Sequence, residues 1–290
     1  MIRGQGCKER IALWMAGVAV FGCLSARSLF AQESQSVQKQ KISEGQYVRL
    51  KDNLKVAGSE QNWILWRLPS GYELEDHFQS QGNPADQLLS QLRGANLSPE
   101  LRKDLETAVA ETDIVMRYGS NRRPQTLIVR GKKLLDGKAV EMVNCKVETH
   151  EVRCIGMGRH AKLHIQESEE FFYAFPFPML LGEWFTSSTA SAMESSLSTL
   201  AILDTPIESE YKPILAQAER NIQSEGDEAL IIGDREFQAH KGKITLSYRD
   251  KNPLPLTIWY GGPGLVYALE GGGPAGERMA LVQYKKYSDY

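Results

Sequence analysis

From Gln46 onward, short runs of aromatic and β-branched residues are separated by clusters of Gly, Pro, Ser and Asn, the punctuation of strands joined by turns. The first runs are Tyr47-Val48-Arg49-Leu50, Trp63 to Leu68 and Tyr72 to Glu75, the last two joined by Pro69-Ser70-Gly71. A second group covers Ile114 to Tyr118, Thr126 to Arg130, Val140 to Val147, Val152 to Met157 and Ala161 to Ile165, divided by Gly119-Ser120-Asn121, Gly131, Asp136-Gly137 and Gly156. A third runs through Glu210 to Arg220, Glu228 to Ile232, Phe237 to His240, Lys243 to Tyr248, Leu256 to Tyr260, Leu265 to Leu269 and Arg278 to Tyr287. Connections this short suit antiparallel neighbours, because parallel strands need crossovers of roughly a dozen residues. Gly271 to Gly276 reads as the turn of a terminal hairpin. As a phosphate loop it lacks the Gly-Lys-Ser/Thr ending and a following helix.

Two stretches carry helical spacing instead. Ser98-Pro99 has the N-cap and first-turn residues of a helix start, after which Leu101, Leu105, Ala108 and Val109 share one face. Ser187 to Leu203 sets Ala192, Met193, Ser196, Leu197, Leu200 and Ala201 at helical intervals, with small residues suited to close packing on a sheet. Between them lies the most apolar part of the chain beyond its start, Phe171 to Phe185, where Pro176 and Pro178 exclude a continuous helix or a central strand. That segment reads either as a core crossing or as an apolar flap at a cavity mouth. The whole pattern predicts an α+β fold, mostly antiparallel β: a strongly curved sheet or half-barrel wrapping one or two helices.

The start of the chain changes the setting. Arg3, Lys8 and Arg10 precede an apolar stretch from Ile11 to Leu24, and Ala31 ends a small-residue site before polar Gln32-Glu33-Ser34. That is the layout of a secretory signal peptide, and the run falls short of the roughly 20 residues that span a bilayer. Cleavage near Ala31 releases a periplasmic or extracellular protein. The alternative is lipid attachment at Cys23, in a loose lipobox Val20-Phe21-Gly22-Cys23. The organisation is therefore residues 1–31 as signal peptide, 32–45 as a flexible segment rich in Gln, Ser and Lys, and 46–290 as a single β-rich domain. Loss of Arg3, Lys8, Arg10, Arg27 and Glu9 takes the formal charge from −2 to about −5. An acidic surface without a Lys/Arg stripe argues against nucleic acid as a partner.

Cys145 and Cys154 are the cysteines left after the leader. If Thr149 and His150 turn the chain, Cys145 faces Cys154, Val147 faces Val152 on the same side, and Lys146 faces Arg153 on the other. Opposed cysteines in an oxidising compartment form a cross-strand disulfide. The register also opposes Glu148 to Glu151 and Lys146 to Arg153, which like charges disfavour. A metal site built from Cys145, Cys154, His150 and His160 or His164 is the competing reading, but it lacks the paired knuckles of structural zinc.

The search for catalysis is negative. Gly-x-Ser-x-Gly, His-Glu-x-x-His and Walker patterns are absent. Acidic pairs such as Glu73 with Glu75 or Glu169 with Glu170 serve a glycosidase only if folding sets two carboxyls about 5 to 10 Å apart around a cleft. No cofactor or metal is called for.

Late in the chain, Ile244-Thr245-Leu246-Ser247-Tyr248 is followed by Pro253-Leu254-Pro255-Leu256-Thr257-Ile258-Trp259-Tyr260. In layout, and in these two late strands, the sequence resembles the periplasmic lipoprotein carriers. The resemblance implies a half-barrel sheltering acyl chains. The expectation is an exported noncatalytic module that binds a hydrophobic small molecule or lipid in a sheet-and-helix concavity, with peripheral membrane contact. Its candidate liners are Trp63, Trp66, Phe172, Phe175, Phe177, Trp184, Trp259 and Tyr260. The alternatives are an envelope scaffold that binds a protein partner through an exposed sheet edge, and a secreted hydrolase.

Overall fold

The computed structural model describes residues 38–79, 109–134, 136–156, 159–167, 170–173, 196–204, 214–248, 253–261, 265–271 and 277–288. Within the compact unit Lys39–Tyr290 these form sixteen strands in one sheet, and no helix occurs among the described residues. The strands are β1 (Gln40–Lys51), β2 (Leu54–Lys55), β3 (Gln61–Leu68), β4 (Gly71–Gln79), β5 (Val109–Gly119), β6 (Pro124–Lys133), β7 (Ala139–Val147) and β8 (Glu151–Gly156). There follow β9 (Arg159–His164), β10 (Glu170–Tyr173), β11 (Ser196–Asp204), β12 (Ile214–Ile232), β13 (Arg235–Tyr248), β14 (Leu254–Tyr260), β15 (Val266–Glu270) and β16 (Glu277–Lys286).

Their spatial order is β10-β11-β12-β13-β14-β15-β16-β1-β3-β4-β5-β6-β7-β8-β9, with β2 attached to β1. Two meanders, β3 to β9 and β11 to β16, thus meet at β1. Every pairing is antiparallel except β10 with β11. The two ends of this path face a common interior. One apolar cluster joins Tyr47, Trp63, Leu74, Met116, Leu127, Val143, Cys145 and Cys154 to Phe171, Ala201, Leu203 and Leu215, and β9 lies beside β12. A second cluster, from Ala216 on β12 to Leu269 on β15, continues the inner face, with Met279 packed against both.

A third cluster sits on the opposite face of the sheet. Val48 and Leu50 of β1, Trp259, Ala268 and Ala280 are covered there by Leu230 and Ile232 of β12 and Ala239 of β13. The long β12–β13 hairpin reaches these strands because it bends at a bulge between Ser224 and Gly226, where Gly226 has φ 95°. Arg278 fastens its tip, donating to the Ile231 carbonyl at 2.9 Å and to Asn53 Oδ1 at 2.5 Å.

The α+β expectation is overturned. Residues 196–204, read as the end of a helix, form β11, paired antiparallel with Ile214–Ile222. Leu197 and Ala201 fit a period of two as well as one of 3.6, but the buried positions Ala201 and Leu203 are two apart and fit only the strand period. Pairing with β12 decided between the two periods. Val109, placed at the end of the other expected helix, begins β5, while the rest of that segment lies outside the described residues. Residues 40–45, assigned to the flexible segment, are the first half of β1, where Ile42 and Ser43 are buried. Two pairs of expected strands fuse into the continuous β12 and β13: a bulge carries β12 past Gly226, and Gly242 pairs in register with Ser224 inside β13. The disulfide hairpin stands in the expected register, with Cys145 bonded to Cys154, Lys146 opposite Arg153 and Val147 opposite Val152.

Candidate functional site

The inner wall of β1, β3, β4 and β5 is built in rows that the register defines. One row runs Tyr284–Gly45–Trp63–Asp76–Ile114–Val129–Val143. Beside it lies Ser43–Leu65–Leu74–Met116–Leu127–Cys145–Cys154–Ala161, and on the other side Gln61 and Thr112 flank Phe78. Side chains two apart on a strand share a face, so these rows form one surface.

Asp76 is the outlier on that surface. It is 3 % exposed among Trp63, Ile114 and their neighbours, and its carboxyl is pushed up to about 7 by desolvation, which the Gln61 hydrogen bond and the nearby His77 charge offset only in part. Gln61 Nε2 donates to Oδ2. Oδ1 has no hydrogen-bond partner, and neither do Ser43 Oγ and Trp63 Nε1. Burying such groups unmet costs on the order of 1–3 kcal/mol each. The Trp63 ring lies between Tyr47 at 6.4 Å and Tyr284 at 6.1 Å. It rests on Gly45, where an added Cβ would come within 2.7 Å of Cζ2. Tyr47 itself is anchored by donating to the Val266 carbonyl at 2.8 Å.

The outer wall of the same strands is ionic. Its register row is Lys41–Trp66–Glu73–Arg117–Thr126–Lys146–Arg153–Lys162. Glu73 is buried between Lys39 and Arg117, whose Nε donates to it at 2.6 Å. Desolvation works to raise the Glu73 carboxyl, but Lys39 and Arg117 outweigh it and hold it below the ordinary range. Lys39 and Lys41 both stack on Trp66, at 5.6 and 5.4 Å from the ring centre. At the disulfide hairpin the like-charge conflict is relieved by ion pairs: Glu151 takes Arg153 and Lys162, and Glu148 takes Lys146 at 2.8 Å.

The sequence candidates separate between these surfaces. Trp63 is in the inner wall, Trp66 on the outer one beneath two lysines. Tyr260 belongs to the inner cluster of β12 to β15, and Trp259, one residue earlier, points to the opposite face under the β12–β13 hairpin, beside Lys241 at 5.5 Å. Phe172 lies on β10, paired with Ile202. Phe175, Phe177 and Trp184 lie outside the described residues. The disulfide of Cys145 and Cys154 is part of the inner wall and removes both thiols as metal ligands. Among the described residues no three His, Cys, Asp or Glu side chains group as a metal site.

Sequence reading missed Asp76, Gln61 and Ser43. The signal was present for Asp76. Tyr72 and Leu74 point inward, and carrying the alternation two residues past Leu74 places the carboxyl inside.

No family model matches this chain, and no curated protein matches it. Among solved structures, a β-barrel-like protein of the domain of unknown function DUF1849 from Brucella abortus superposes with a TM-score of 0.51 at 11% identity, covering 87% of this chain and 100% of that one. The hypothetical lipoprotein YmcC from Escherichia coli aligns over 88% of this chain and 93% of its own at 10% identity, with a TM-score of 0.31, too loose a superposition to carry weight. What the first likeness establishes is the architecture: this chain has a barrel-like all-β fold.

Proposed function

We propose that this chain is an exported, noncatalytic binding module that holds a hydrophobic ligand or lipid moiety inside its curled sheet. The observation that supports it is the wall itself, fifteen strands in one path whose two ends share an interior. About eight strands already close around an interior that their own side chains fill, and larger barrels enclose more than that. The interior is apolar with a few inward polar groups, the composition of small-molecule sites. The helices once expected to complete the concavity are replaced in this reading by the opposite arc of the sheet. Export accords with the disulfide, since such bonds persist in oxidising compartments. Release follows cleavage near Ala31, and a mature N-terminus at Gln32 by mass spectrometry is the expected result.

The test of binding is extraction of the protein from its native envelope, followed by mass spectrometry of copurifying lipid and titration of the delipidated protein with 1-N-phenylnaphthylamine. Bound lipid and saturable enhancement of the dye support the reading. Protein that carries no lipid and leaves the dye dark overturns it.

A further inference from the structure

We propose that Ser43, Trp63 and Asp76 form a head-group site in the inner wall, and that its ligand is an uncharged, hydroxyl-bearing acyl lipid of monoacylglycerol chemistry. This rests on the binding function proposed above and specifies its ligand.

The argument begins with unmet hydrogen bonds. Trp63 Nε1 can only donate, Ser43 Oγ donates or accepts, and Asp76 Oδ1 accepts when ionised or donates when protonated. Cross-strand pairing sets Trp63 directly against Asp76, and Ser43 lies on the same face of β1 as Gly45, the partner of Trp63. Three orphaned groups within one patch of an apolar wall are unusual, because buried polar atoms are nearly always paired. An ester carbonyl answers the indole N–H and the serine hydroxyl. A lipid hydroxyl answers Asp76 in either protonation state, because it both donates and accepts.

The same groups discriminate against the commonest alternative. Above about pH 7, where Asp76 is ionised, a free fatty acid brings a second carboxylate into a low-dielectric wall, and the like charges repel strongly. His77, the next residue on β4, points to the outer face and pairs there with Asp113 at 2.7 Å. It offers the fatty-acid carboxylate no hydrogen bond. The route to the site follows the row. Tyr284, 40 % exposed, stands at the solvent end, and Gly45 and Trp63 lie between it and Asp76 in the register. Entry requires that ring to swing off Gly45, so binding reports directly in indole fluorescence.

The experiment, run at about pH 8 so that Asp76 is ionised, displaces bound 1-N-phenylnaphthylamine from the delipidated exported protein with 1-monooleoylglycerol, methyl oleate, oleate and oleylamine. The glycerol ester is expected to compete about tenfold more tightly than methyl oleate or oleate, the difference of one good buried hydrogen bond. In Asp76→Leu that advantage shrinks to within about twofold while methyl oleate is unchanged, and Asp76→Asn, which keeps a polar head, retains part of it. Near-UV circular dichroism confirms that each variant is folded. Equal competition by the glycerol ester and methyl oleate, or tighter competition by oleate or oleylamine, overturns the head-group assignment and leaves the binding function standing. A dye that never binds sinks the binding function, and the assignment with it.

Discussion

Asp76 contributes a pH response of its own to folding stability. Its carboxyl keeps a proton up to about pH 7 when folded and loses it near 3.8 when unfolded. The contribution of Asp76 to folding therefore becomes less favourable as pH rises from about 4 to 7, by about 4 kcal/mol in all, and levels off above that. Asp76→Asn removes the titration. Its gain over the parent in urea unfolding is expected to be about 2–3 kcal/mol larger at pH 8 than at pH 5. A gain that does not change with pH would show that Asp76 is ionised throughout. Glu73 behaves in the opposite sense. Lys39 and Arg117 hold its carboxyl low, so the stability it supplies is present at neutral pH and lost as pH falls through that lowered value. Glu73→Gln is expected to cost about 1–3 kcal/mol at pH 7, with the gap to the parent closing as pH falls through that lowered value. Chemical denaturation of each variant beside the parent, at pH 5 and 8 for Asp76 and from pH 7 down into acid for Glu73, checks both.

At the scale of elements, the β7–β8 hairpin was the most legible part of the chain. Two cysteines, two valines and a short intervening turn allow one register, and that register is the one found. The loop it closes is short, with a sequence separation of 9, so replacing both cysteines by serine is expected to cost about 2–3 kcal/mol in thermal or urea unfolding. Thiol titration of the unfolded, unreduced protein should find neither Cys145 nor Cys154 free. β11 was the least legible, because its leucines and alanines satisfy two periods at once and only the partner strand chooses. The site fell between these extremes. Trp63 is a candidate by its residue type alone, whereas proposing Ser43 and Asp76 requires knowing that β1 starts at Gln40 and that β4 runs past Glu75. Adjacent Trp259 and Tyr260 were grouped as one lining, although on a strand neighbours in sequence face opposite ways.

Over the whole molecule, the β12–β13 hairpin serves two layers, paired at its base with the wall and laid over the outer face at its tip. Arg278 is the clamp, and the two most exposed aliphatic side chains among the described residues belong to Leu54 (74 %), next to Asn53, and to Ile231 (57 %), whose carbonyl it holds. Arg278→Ala is expected to free the tip while leaving the wall intact. Amide exchange should then rise by about tenfold at Ile231 to Glu236 and stay unchanged at Ile114 to Met116 of β5, since opening of one element need not open the rest.

The seam between β1 and β16 joins strands made at opposite ends of synthesis. While the polypeptide is still being delivered, β3 to β9 can zip together hairpin by hairpin, yet one side of β1 stays bare until Glu277 to Lys286 arrive. Products cut short before Glu277 would therefore lose the middle of the wall instead of an outer margin, parting the two meanders and leaving β1 and β15 as open templates for association with other chains.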